Sequence, residues 1–290
     1  MPKVDRELAD RGIPVHLRQP YAHWRIAGPA SIDLQAAYDE STPAYKGTNL
    51  FHKILEWYSA HYPKDAVCVP PFGRRPILVR GQPFVLRIPP IFNVNPSTKR
   101  ATNYIEGISD SFLEILSPDE IQQVQEQFND MAKQASRLTL LLVSLLREQP
   151  IPNWLLVKQL VMSGRADLNS ATDAVVRLDA GSYPWCTQQA VEKHLKAYLS
   201  FVDPAVNASI LKMRFGHNLP RLLDACSQHC ASFEQVTPYI ATVAVTPSQR
   251  YESPQLATRE AVDRVNLAYA MCDLVAHIML SSLKGKGAGN

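Results

Sequence analysis

The amino-acid sequence predicts a mainly α fold, with an antiparallel helical bundle in the C-terminal half and a smaller α+β domain ahead of it. Three observations lead there. From Ile151 onward, apolar residues recur at helical spacing in successive stripes. A capping signature at Ser117 opens the longest single run of that spacing. Upstream, Val67 to Phe92 is rich in β-branched and aromatic residues broken by prolines, the mark of short strands.

Taken in order, residues 1–46 mix prolines, charges and aromatics without a sustained period and read as an irregular arm. The small α+β domain then spans 47–116. It begins with a short helix from Asn49, in which Leu50, Ile54, Trp57 and Tyr58 share a face and which stops near Pro63. Glycine leading the Gly81-Gln82 pair suits a type II′ turn joining Ile77–Arg80 to Phe84–Ile88. Pro76 and Pro83 would confine these strands to sheet edges, because proline has no N–H for the ladder.

Ser117, Pro118 and Glu120 supply an N-cap, a first-turn proline and the returning carboxylate of a capping box. Behind them Ile121, Val124, Phe128, Met131, Ala135, Leu138, Leu142 and Leu145 fall on one face, so 117–150 reads as a long connecting helix. The bundle is expected over 151–284. Its stripes are Leu168, Ala171, Val175 and Leu178; then Val191, Leu195, Tyr198, Leu199 and Val202; then Ala261, Val265, Ala268, Cys272, Ala276 and Met279. The glycine-rich residues 285–290 are expected to be a disordered tail.

The net charge of +3 is too small to announce nucleic-acid binding by itself, so local clusters must carry any such argument. Five cysteines with irregular spacing do not form the even framework of a small secreted scaffold, and reduced thiols in a cytoplasm are expected. The charged start MPKVDRELADRG has no apolar stretch of the signal-peptide kind. Leu138 to Leu146 reads as the most apolar run and is too short for a membrane span, so no membrane partner is expected. Gly-rich phosphate loops, nucleophile elbows and paired-carboxylate motifs are absent from the sequence.

Ala166 to Phe201 carries a more specific pattern. Asp167, Leu168 and Ala171 precede a Gly181-x-Tyr183 turn, and then come Gln189, Ala190, Glu192, Lys193, Lys196 and Ala197. Further on stand His217-Asn218-Leu219 and Arg250-Tyr251, the latter ahead of an alanine-rich stretch over Ala257–Leu280. In order and spacing these landmarks resemble the HEPN domain, and the resemblance covers about Pro152 to Leu283. It implies a helical bundle that dimerises through its helices, an RNA or nucleotide ligand, and a separate nucleotidyltransferase-like partner chain. Lys193, Arg214, His217, Arg250 and Tyr251 are the positions it implies for a ligand groove. The residues by themselves also fit plainer work: Glu192 and Lys196 form an i,i+4 pair suited to surface support or dimer contacts.

Members of that family that cut RNA pair an arginine with a later histidine. Only two residues separate Arg214 from His217, a shorter gap than theirs. Arg11 with His16 and Arg18 with His23 have the longer spacing but lie in the arm. Asn218 is a favoured N-cap, Pro220 suits a first turn and Gly216 lets the chain bend, so His217 reads equally as the residue before a helix cap.

Two further groups stand out. Cys226, His229 and Cys230 with Cys272 and His277 could meet a zinc ion, but the spacing matches no closed site, and no metal or cofactor is expected. Arg74, Arg75, Arg80 and Arg87 gather with Phe72 and Phe84 and would either grip phosphates or lie as solvated charges on a sheet edge. The first functional expectation is a non-catalytic binding or adaptor protein in which His217 is buried against a backbone carbonyl. The second is a metal-independent ribonuclease, a toxin or defence effector, in which His217 faces Arg214 or Arg250 in a cleft.

Overall fold

The structure is a computed structural model that describes residues 1–13, 15–27, 43, 47–63, 73–88, 101–146, 151–245 and 257–287. Among them stand eleven α-helices and one three-stranded antiparallel sheet, so the protein is mainly helical. The chain divides into two compact units, residues 1–71 with 89–96, and residues 72–88 with 97–290.

The first unit holds three helices, α1 (Pro2–Asp10), α2 (Val15–Ala27) and α3 (Gly47–His61). Two of them lie where the sequence reads as an irregular arm. Pro2 opens α1, and Gly12, with a φ of 69°, closes it. The Ile13 N–H bonds the Leu8 carbonyl and the Gly12 N–H bonds the Ala9 carbonyl, the two bonds of a Schellman cap. Leu8, Ile13, Ala22, Leu50, Ile54 and Tyr58 make the core. Arg18 ties the three helices: it donates to Asp5 at 3.3 Å, to the Tyr62 hydroxyl at 3.2 Å and to the Ile13 carbonyl at 2.6 Å. Burial works against the Asp5 carboxylate, but bonds from Tyr62 and Arg18 hold it below the usual range.

In the second unit β1 (Gly73–Val79) pairs with β2 (Gln82–Ile88), which pairs with the two-residue β3 (Ile105–Glu106). The turn is Arg80-Gly81, with positive φ of 51° and 77°, so it follows the type I′ pattern and not the expected type II′ turn over Gly81-Gln82. Strand β1 is an edge, as its proline requires. Its open side is covered by side chains: Thr172 at 3.4 Å and Tyr269 at 2.5 Å donate to the Arg74 carbonyl, and Asn266 donates to the Pro76 carbonyl at 3.0 Å. Pro83 lies in the central strand, at a position that β3 does not reach.

The helices of this unit are α4 (Asp110–Glu114), α5 (Pro118–Leu146), α6 (Trp154–Val176), α7 (Tyr183–Val202), α8 (Ala208–Ile210), α9 (Leu219–His229), α10 (Ile240–Val243) and α11 (Thr258–Gly287). The capping box forms as its letters require: the Ser117 N–H bonds Glu120 at 2.7 Å and the Glu120 N–H bonds Ser117 Oγ at 3.2 Å. Helix α5 serves two cores. Val124, Phe128, Met131 and Ala135 pack under the sheet, whereas Leu138, Leu141 and Leu145 join α6, α7, α9 and α11.

Helices α6 and α7 run antiparallel and close together, with Lys193 Nζ 2.6 Å from Asp167 and Gly164 backed against His194. Leu178 leaves the stripe expected of it. It is 67% exposed because α6 ends at Val176 and Leu178 takes the left-handed position, φ 58°, of a second Schellman cap. Among the described residues, Thr258–Leu283 of α11 is the one helical stretch long and apolar enough to cross a membrane, in place of the shorter Leu138–Leu146. Half of it is buried within the protein, with Val265, Ala268, Cys272 and Ala276 in the core. The expected tail is helical as far as Gly287, and its remainder lies outside the described residues.

Candidate functional site

The cluster that carries chemistry stands where α7 meets the start of α9. Trp185, Gln189, Glu192 and Lys196 follow one another at helical spacing along α7 and so share a side of it. Opposite them the chain runs from α8 into a π-helical turn over Leu211–Phe215, closed by Gly216 N–H bonds to the Leu211 and Lys212 carbonyls. Leu211 and Phe215 are buried and anchor the turn, while Lys212, Met213 and Arg214 are exposed. Gly216, with a φ of 52°, reverses the chain into His217. Asn218 then caps α9 by accepting from the Arg221 N–H at 3.0 Å, so the cap reading of this stretch is what the chain adopts.

His217 is not buried against a carbonyl. Its side chain is 57% exposed, and its Nδ1 lies 3.0 Å from the carboxylate of Glu192, which is 3% exposed. An ionised carboxylate only accepts, so in this contact Nδ1 is the donor. Trp185 meets the same ring edge-on, centroids 5.7 Å apart. Lys196 Nζ lies 2.6 Å from Glu192 and 2.6 Å from the Gly216 carbonyl, so a buried ion pair fixes the start of α9. Glu192 was expected on the surface, and its burial against Lys196 and His217 corrects that.

Of the other expected groove residues that the structure describes, Lys193 and Arg214 have contacts of their own. Lys193 bonds Asp167 at 2.6 Å and Ser163 at 2.8 Å. Burial raises the Asp167 carboxyl, although Lys193 pulls it the other way. The Arg214 guanidinium lies over the Phe215 ring, 5.3 Å from its centroid. Arg250 and Tyr251 lie outside the described residues, as do Cys68 and Phe72. In the first unit Arg18 is committed to Asp5 and Tyr62, and His23 is buried.

Of the hairpin arginines, Arg80 and Arg87 are exposed charges, Arg74 is half-buried, and these three are ion-paired. Arg74 pairs with Glu106 and Asp173, Arg87 with Glu106, and Arg80 grips Glu120 through Nε at 2.8 Å and Nη2 at 3.0 Å. Arg75 is buried. Cys226 and Cys272 are buried thiols, pushed up by their burial, and among the described residues no three potential ligands gather as a metal site.

Chemically, the α7–α9 cluster can present an oriented imidazole to solvent beside a protruding Lys212, Met213 and Arg214. No family model, no curated protein and no solved structure matches the chain.

Proposed function

We propose that the C-terminal helices form a HEPN-like, non-catalytic binding module that takes an RNA or nucleotide ligand on the surface formed by the π-turn and His217. One observation carries this reading. The π-turn is anchored by buried Leu211 and Phe215 and holds two cations and a methionine in solvent next to an exposed histidine and Trp185. Exposed cations beside aromatic faces suit phosphates and stacked bases, and π-turns recur at functional positions. Lys193 and Lys196, by contrast, sit in ion pairs with Asp167 and Glu192. Dimerisation through the helices belongs to the same reading. Leu155 and Met162 of α6, two turns apart and 56% and 50% exposed, are where a second copy would seat. A separate nucleotidyltransferase-like chain is the other partner the resemblance implies.

The Glu192–His217 pair supports a second reading, a metal-independent ribonuclease of toxin or defence type. A buried carboxylate orienting an exposed imidazole is the arrangement of a general base. Labelled transfer and messenger RNA incubated with the full chain in EDTA separate the two. The binding module shifts the RNA's anisotropy and leaves it intact. Changing Lys212 and Arg214 together to glutamine weakens binding and lowers the slope of log affinity against log salt by roughly one for each charge. Cleavage that disappears in His217→Ala would establish the ribonuclease instead, and intact RNA with no shift at low salt defeats both.

A further inference from the structure

The side-chain cover of β1 ends at Pro76. The carbonyls of Arg74 and Pro76 point away from β2, where Thr172, Tyr269 and Asn266 bond them. Strand residues alternate, so the N–H and carbonyl of Leu78, two residues beyond Pro76, point out of the same edge. Across the ladder Leu78 faces Pro83, and among the described residues nothing outside the hairpin bonds it. Pro76 has no N–H, and the Arg74 carbonyl is already taken. At Leu78 the edge still offers a donor and an acceptor together.

That position lies where two cavities meet. One, of about 400 Å³, is walled by α5, β1 and α11, and the other, of about 230 Å³, lies toward the hairpin turn. Leu78, Gln123, Gln127 and Arg259 line both, so the two form one groove beside the strand edge. None of the residues around His217 contributes to it. Leu78 packs toward the core that holds Val262 of α11, whereas Ile77 and Val79 join Val124 and Phe128 of α5. A chain added beyond Leu78 therefore has α11 on one face and α5 on the other.

Both walls present uncommitted groups. Among the described residues, Gln123 and Gln127 make no hydrogen bond, and exposed Arg259 and Asp263 make no ion pair. Each pair is one helical turn apart, about 6 Å along its axis. Two residues of extended chain span about 6.6 Å, so alternate positions of a strand match either pair. Among the described residues no aromatic side chain lines the groove, which leaves it without a surface for stacking bases.

We propose that this groove binds an extended peptide segment of another protein, which adds to β1 at Leu78 and carries an acidic and a basic residue two positions apart. The peptide backbone accepts from the Leu78 N–H and donates to its carbonyl, the bonding of strand addition. Its acidic side chain meets Arg259 and its basic one meets Asp263, while the residue between them faces the amides of Gln123 and Gln127.

The test is fluorescence anisotropy on the full chain with two labelled, end-capped hexapeptide mixtures, one fixed as Glu-x-Lys at its centre and the other as Lys-x-Glu. One order is expected to bind at least about tenfold more tightly, because Arg259 and Asp263 fix the order along the groove. Exchanging the charges, Arg259→Asp with Asp263→Arg, reverses the preference, and both positions are exposed enough to keep the fold. If that variant does not fold, Arg259→Gln decides by removing the preference. Methylating the main-chain nitrogen of the fixed residue that sits opposite Leu78 weakens binding about tenfold, an effect that side-chain docking alone does not produce. Binding of neither mixture at millimolar concentration, equal affinity for both, a preference unchanged by the Arg259 and Asp263 variants, or indifference to methylation at both fixed residues would overturn the proposal.

Discussion

Glu192 on α7 and His217, 25 residues later and just ahead of the α9 cap, meet through the carboxylate of the first and Nδ1 of the second at 3.0 Å. The two contribute very differently to stability. Glu192 is 3% exposed and is also the counter-charge of Lys196, so Glu192→Ala strands a lysine in a poorly hydrated place and is expected to cost about 3–5 kcal/mol. His217→Ala removes a ring that is mostly in solvent and should change stability by less than about 1 kcal/mol. Urea denaturation of the two variants checks this. A His217→Ala protein as stable as the parent makes any lost RNA interaction a loss of function and not of fold.

The pH dependence of stability should be set in part by His194. Burial pushes its pKa down to about 4, against the bond its Nδ1 donates to the Ala190 carbonyl at 2.8 Å. The unfolded chain binds a proton near the ordinary pKa of about 6.5. Between these values the unfolded state holds more protons, so stability is full above the unfolded pKa and falls as pH drops from there toward 4. The loss amounts to about 3 kcal/mol. Melting curves from pH 7 to pH 4 should show it in the parent, and His194→Gln should flatten that part of the profile; an unchanged slope in the variant contradicts the assignment.

At Gly164 the usual preference of a helix for alanine is expected to reverse. A Cβ there would stand 2.6 Å from Nδ1 of buried His194 and 3.2 Å from the Ala190 carbonyl. On an open helix face glycine to alanine gains up to about 1 kcal/mol. Here the overpacking of α6 against α7 should cost about 1–3 kcal/mol, so the sign of the change in a denaturation midpoint decides the matter.

Ser117→Ala is expected to cost about 1 kcal/mol, the ordinary value of a lost N-cap. Glu120, the other half of the box, also receives Arg80 from the hairpin turn, and those hydrogen bonds hold its carboxyl down at about 2. Amide exchange in the first turn of α5 should therefore accelerate in Ser117→Ala while the hairpin amides stay protected.

How far the letters could be read follows from how local each cause is. The capping box, the face of α5 from Val124 to Leu138 and the cap at Asn218 depend on near neighbours in sequence, and they form as expected. Helix α1 carried its own signals in Pro2 and Gly12, but it buries only Asp5 and Leu8, too little apolar periodicity to declare itself. Arg75 lies on the same strand face as buried Ile77 and Val79, so the two-residue period placed it inside where its charge argued for outside. The partner of His217 left no local trace, although Trp185, Gln189, Glu192 and Lys196 on one helical stripe were visible as a polar face.

The covered edge of β1 has a consequence for how the chain is made. The side chains that close it, Thr172, Asn266 and Tyr269, lie 98, 190 and 195 residues from the carbonyls they bond. A ribosome adds roughly 5–20 residues per second, so the hairpin waits about 10–40 s with bare carbonyls before α11 emerges. Throughout that interval the strand offers an unpaired ladder to any other extended chain. The last helix is thus the protein's own late-arriving guard against aggregation during synthesis, and a chain that stops before it leaves the ribosome with that strand edge open.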